Sequence, residues 1–220
     1  ILGYCPYKSP TDMGVNMVGN CIVNDDAARY ASRQEIIRRY YEALCDQKKG
    51  KNVDNAIRKL ELLMKKADIA PSERKVVAPA LARAEETGDA AAAMELPDGT
   101  IVTGRTSDML GSSSALLLNA LKKLGNIPDE LHLIAPIALD PIQQLKVNHL
   151  GNLNPRLHTD ETLIALAISA AMNPMAGKAM EQLEKLRGCD VHSSVILTQI
   201  DERTFKRLGV NLTCEPRYLG

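Results

Sequence analysis

Two stretches of the 220-residue chain carry side chains whose types and spacing suit ligand chemistry. The first joins Thr103-Gly104-Arg105 to Gly111-Ser112-Ser113-Ser114 and reads as a strand, a polar loop and a helix start. Free amides at such a helix start, its dipole and three hydroxyls can hold a phosphate or carboxylate, with Arg105 as countercharge. The spacing matches neither a P-loop nor Gly-x-Gly-x-x-Gly. The second stretch, Asn154 to Glu161, sets Arg156 and His158 just before an apolar helix. Pro155 stiffens the approach, so the loop presents a fixed cation beside a titratable donor. Each stretch also has a plainer reading: a hairpin followed by a serine-capped helix, and a histidine packed beside a buried helix. Near the start, Ser9, Thr11, Asp12 and Asn16 either line a site shared with other parts of a longer protein or belong to a connector docked through Met13, Val15, Met17 and Val18. His192 and Ser193 are neighbours on a strand and point to opposite faces, which removes a Ser-His nucleophile.

Composition narrows the classes. Hydrophobic residues make up 45%, enough for a substantial core, and 27 basic residues balance 27 acidic ones. There is no global field to attract nucleic acid or a membrane surface. With no Trp, one Phe and six Tyr, base-stacking platforms are not expected. The five cysteines (Cys5, Cys21, Cys45, Cys189, Cys214) lack any Cys-x-x-Cys pair, and the four histidines are scattered, so the sequence points to reduced thiols in a cytosolic protein without a metal site. No signal peptide and no membrane-length apolar run is legible. The chain opens on Ile1 rather than Met, as a fragment or processed product would.

The elements that must position these groups follow from periodicity. Residues 1–24 read as an irregular connector, residues 25–89 as a helical subdomain and residues 90–220 as an α/β subdomain. Helices are expected over Asp25 to Lys49, Val53 to Ala67 and Pro71 to Gly88, the last kinked or split by Pro79 near Ala78. The arginines of the first helix read as a solvated face. Pro97-Asp98-Gly99 between two extended runs predicts a hairpin. Helices follow over Ser112 to Leu124, from Pro141 to His149, Glu161 to Met172, Met175 to Arg187 and Asp201 to Leu208. Further strands are expected over Leu131 to Ala135, Val191 to Ile200 and Val210 to Cys214. The run Leu163 to Ile168 suggests burial of its helix on more than one side. Five strands interleaved with helices give a three-layer α/β/α sandwich over a mixed sheet, the hairpin forcing one antiparallel pair.

The runs Ser9 to Gly19, Gln34 to Tyr41, Ala84 to Gly88, Glu95 to Gly99, Ile101 to Gly104, His149 to Gly151, Asn154 to His158 and Arg207 to Asn211 together resemble a bacterial family described as domain of unknown function 1846, sometimes labelled ATP-dependent zinc proteases. The resemblance implies that this chain is the C-terminal half of a longer protein whose absent N-terminal half carries a P-loop-like segment. It implies a topology similar to the cytidine-deaminase class, although the deaminase His-x-Glu and Pro-Cys-x-x-Cys ligands are not present. No cofactor is expected in this chain itself; ATP would belong with the absent half. The functional expectation is the C-terminal part of an enzyme that binds a nucleotide or another phosphate-bearing ligand, with Thr103, Gly104, Arg105, Ser112, Ser113, Arg156, His158, Asp12 and Asn16 as ligand-binding candidates. The alternative is a non-catalytic interaction or homo-oligomerisation module.

Overall fold

The computed structural model describes residues 24–218. Ser9, Thr11, Asp12 and Asn16 lie outside them. Three helices come first. Helix α1 (Asp25–Lys48) starts where the Asn24 side chain accepts the Ala27 amide at 2.9 Å, and α2 (Asp54–Ala67) ends at Asp68 in the left-handed region, φ 51°. The two pack through Ile37, Tyr41 and Met64. Arg33 belongs to no solvated stripe: it donates to the Glu73 carboxylate and to the Ala67 and Asp68 carbonyls, tying α1 to the end of α2. The expected third helix is a single 3-10 turn at Pro71–Glu73 followed by α3 (Val77–Thr87). Pro79 is the third residue of α3, where no intrahelical amide bond is lost, so it kinks nothing.

The sheet contains four strands, β1 (Ala91–Glu95), β2 (Ile101–Arg105), β3 (Asp190–Ser193) and β4 (Asn211–Cys214), in the order β2-β1-β3-β4. The hairpin forms as expected, with Gly99 at φ 83° in its turn. Strand β1 is antiparallel to both neighbours, and β3 and β4 are parallel. Strands β2, β3 and β4 therefore share one direction and place their carboxyl ends along one edge. Ala92 and Met94 point into the main core with Leu116, Leu117, Leu121, Leu166, Val191 and Phe205. Ala93 points the other way, onto Val76 and Ala80 beside and within α3. With helices on both faces, this is an α/β fold of three layers over a mixed sheet.

The remaining helices are α4 (Ser112–Leu124), α5 (Pro136–Gln144) running into a π-helical turn (Leu145–His149), α6 (Thr159–Ala170), α7 (Pro174–Met180) and α8 (Gln199–Arg207). Three expectations are corrected. Leu131 to Ala135 is not a strand: its apolar run buries Leu133 and Ile134 as irregular chain leading into Pro136. Strand β3 stops at Ser193, because Thr198 caps α8 by accepting the Asp201 amide. Helix α6 is buried on one side only. Its inner face holds Thr159, Thr162, Ala165 and Leu166, while Ile164 and Ile168 are 60% and 68% exposed. No described helix is long and apolar enough to cross a membrane.

Candidate functional site

Helices α4 and α8 each follow a strand whose carboxyl end lies at the same edge of the sheet, the usual place for ligands in α/β folds. Both candidate loops come to that edge and are stitched together there. Leu110 and Leu157 form a parallel bridge, with the Leu157 amide donating to the Met109 carbonyl at 2.9 Å and the Gly111 amide to the Leu157 carbonyl at 3.3 Å. The Ser114 hydroxyl donates to the same carbonyl at 2.9 Å. The start of α4 thus abuts residues 156–158, which continue directly into α6.

Arg156 and His158 flank the buried Leu157 and are themselves only partly buried. Each is held by one nitrogen. Arg156 donates through Nε to the Ser107 carbonyl at 2.8 Å, and His158 Nδ1 lies 3.2 Å from Asp201 Oδ2. The other nitrogens, Arg156 Nη1 and Nη2 and His158 Nε2, have no partner among the described residues. A cavity of about 400 Å³ opens beside Arg156, bordered by Asp108, Leu153, Asn154 and Pro155. A larger one, about 550 Å³, lies on the α3 side and carries Glu85, Asp89 and Arg217.

Asp201 organises the cluster. Its Oδ1 accepts the Thr159 amide and hydroxyl, each at 2.9 Å, and its Oδ2 accepts the Thr198 hydroxyl at 2.7 Å. The amino end of α6 is therefore already occupied by the protein's own carboxylate. Burial alone would raise the Asp201 carboxyl, but hydrogen bonds from His158, the Thr159 amide and Thr198 bring it below the usual range. The reciprocal bond to Asp201 raises His158 above an ordinary imidazole, against burial and the nearby Lys146 ammonium. Lys146 is 2% exposed on the π-helical turn and donates to the Arg156 carbonyl at 2.6 Å and to Glu161 Oε2 at 2.7 Å. That same Glu161 oxygen accepts the His158 amide at 2.8 Å. A buried ion pair thus fixes the loop's exit.

Of the remaining expected residues, Ser112 and Ser113 are buried at the start of α4, and no acceptor for their amides is found among the described residues. Thr103, Gly104 and Arg105 are engaged elsewhere. The Thr103 carbonyl accepts from Asn119, and Arg105 reaches Asp89 at 3.9 Å. A Cβ on Gly104 would fall 2.1 Å from the Leu116 amide nitrogen, so this glycine lets β2 and α4 meet backbone to backbone. Asp201, Lys146, Glu161 and Thr198 were not expected in the site. Thr198-x-x-Asp201 carries the spacing of a helix cap and so was detectable as a helix start; nothing in the sequence marks Lys146.

His192 belongs to a separate, closed network. Its Nε2 lies 3.1 Å from Glu215 Oε1, and its Nδ1 lies 2.8 Å from the Thr213 hydroxyl. Burial lowers its pKa, which keeps the ring neutral. Cys45 and Cys189 are buried, which raises their thiols to about 12 and about 11, and burial likewise raises Cys214. None supplies a thiolate at neutral pH. Among the described residues no three His, Cys, Asp or Glu side chains gather to hold a metal ion.

Residues 72–220 match the model described as domain of unknown function DUF1846, C-terminal, and residues 1–68 match its N-terminal counterpart. The chain belongs to this family. It carries sequence from both family domains, which corrects the expectation of a C-terminal half alone. Over 218 residues, 99% of the chain, it is 51% identical to UPF0371 protein cu0538 of Corynebacterium urealyticum, and over the same span 53% identical to a UPF0371 protein of Streptococcus pneumoniae strain Hungary19A-6. In both cases the match covers 44% of the relative, so the chain spans less than half the length of the curated relatives it matches.

Proposed function

We propose that the crevice at the carboxyl ends of β2 and β3 seats the phosphate group of a small ligand, as part of an enzyme completed by residues outside this chain. One observation carries the reading. Arg156 and His158 flank the buried Leu157, each pinned through one nitrogen, with the others left to a ligand. The guanidinium supplies a fixed forked donor, suited to phosphate oxygens. The amides of Ser112 and Ser113 begin α4 next to that segment, and its dipole adds to the attraction. A nucleotide's base and sugar, or the P-loop-like segment of the resemblance, would draw on the part of the longer protein not contained here.

The test is thermal melting with inorganic phosphate and with ATP. Saturating ligand at a hundredfold excess over Kd is expected to add about 2.7 kcal/mol. Arg156→Gln removes a charge-assisted contact worth about 1.5 to 3 kcal/mol and should weaken binding roughly tenfold to a hundredfold. Absence of any ligand-linked shift in the unsubstituted protein sinks the proposal.

A second reading, an interaction or homo-oligomerisation module, is favoured by the exposed Ile164 and Ile168 of α6 and Met172 just beyond its end, since exposed apolar faces mark association surfaces. It predicts a concentration-dependent dimer in light scattering that Ile168→Asp dissociates without loss of helical signal; a monomer at all concentrations refutes it.

A further inference from the structure

We propose that the seat at Arg156 and His158 takes up a phosphate monoester together with one proton, held on Nε2 of His158 and stabilised by Asp201. The inference rests on the seat proposed above and adds the coupling of ligand to proton. Asp201 is locked by Thr159 and Thr198, so the imidazole bonded to it has one orientation. An ionised carboxylate only accepts, so Nδ1 carries a proton in both ring states and Nε2 is the nitrogen that titrates. The side chain is one-fifth exposed, and Nε2 has no hydrogen-bond partner among the described residues.

The charged and polar groups facing the ring come from three elements. Asp201 and the capping Thr198 approach from α8, with Thr198 Oγ1 at 3.5 Å; Lys146 comes from the π-helical turn and Glu161 from α6. Lys146 and Glu161 are paired with each other at 2.7 Å, so their charges largely offset at the ring. Asp201 is then the charge that the ring must balance. A neutral ring leaves that negative charge facing an incoming anion and presents a lone pair to it. A protonated ring neutralises Asp201 and offers an N–H. Anion and proton therefore favour each other's binding, and each must shift the other's equilibrium by the same factor. The raised pKa of His158 sets the direction: the protonated ring is favoured at and below neutrality, and the coupling fades as pH rises through that value.

The experiment is calorimetric titration with phenyl phosphate, repeated from slightly acidic to alkaline pH in two buffers of different ionisation enthalpy, together with NMR titration of the His158 ring with and without the probe. Above the second ionisation of the probe, near pH 6 for phosphomonoesters, the remaining pH dependence belongs to the protein. The expected result is net proton uptake, an affinity that falls towards tenfold per pH unit once the ring deprotonates, and a His158 titration moved upward by the probe. His158→Gln should bind more weakly with no proton uptake, and Asp201→Asn should lower the ring's titration and shift the affinity profile to lower pH. Binding with unchanged pH dependence in His158→Gln, or an unmoved ring titration in a protein that binds the probe, overturns the coupling and leaves the seat standing. No binding at any pH overturns both.

Discussion

Gly104→Ala is expected to destabilise the protein by at least about 3 kcal/mol, a large loss for a single methyl group. The added carbon would sit 2.1 Å from the Leu116 amide nitrogen, 2.5 Å from its Cα and 2.8 Å from the Ala115 carbonyl carbon. All three are backbone atoms in the middle of α4, so no side chain can swing aside, and relief requires β2 and α4 to separate. That separation would loosen Leu116, Leu117 and Leu121 from the sheet. Denaturant unfolding should show a lower midpoint with an unchanged slope. Stability near that of the parent protein would mean that strand and helix do not meet at this point.

Arg74→Met should cost about 3 to 5 kcal/mol, the range for removing one partner of a buried ion pair. Arg74 is 1% exposed yet makes four polar contacts: Nε to the Thr213 hydroxyl at 3.0 Å, Nη2 to the carbonyls of Val191 and Asn211, and Nη1 to Asp190 at 3.2 Å. Methionine fills much of the volume and satisfies none of them. Arg74→Lys should recover little, since a single ammonium cannot span the fork. The double change Arg74→Met with Asp190→Asn should cost less than the two single changes added together, because the orphaned carboxylate is then gone. Strict additivity would show that the pair is not coupled.

Much of the fold was legible because local signals agreed with tertiary context. The apolar spacing of α1 and α2, Gly88 at the end of α3 and Pro97-Asp98-Gly99 in the hairpin each specify their element directly. The failures came where a short apolar run had more than one solution. Leu131 to Ala135 buries Leu133 and Ile134 without a strand neighbour to pair with among the described residues. In α6 the apolar count was high, but the fold turned Thr159 and Thr162 inward, where Thr159 gives Asp201 a hydroxyl and an amide donor. The site was legible in part: Arg156 and His158 stand out by type and by their rigid approach. Their partners Asp201 and Lys146 lie 43 and 10 residues distant from His158 and Arg156, and only the crossing of α6, α8 and the π-helical turn brings them together. The spacing around Gly104 suggested a ligand loop, and nothing in it signalled that the missing side chain also lets a helix approach the strand.

The strand order β2-β1-β3-β4 has a further consequence for the life of the chain on the ribosome. The hairpin and α4 can close on each other early, but β4 is synthesised after every other element. Helix α1 is made long before it, and its Tyr41 packs on His192 of β3 while Cys45 meets the carbonyl of Cys214 at the end of β4. Cys45 must wait for a partner made 169 residues later. A nascent chain halted just before Asn211 would expose this row together with an unpaired edge of β3, the kind of surface that chaperones bind and that neighbouring nascent chains can capture.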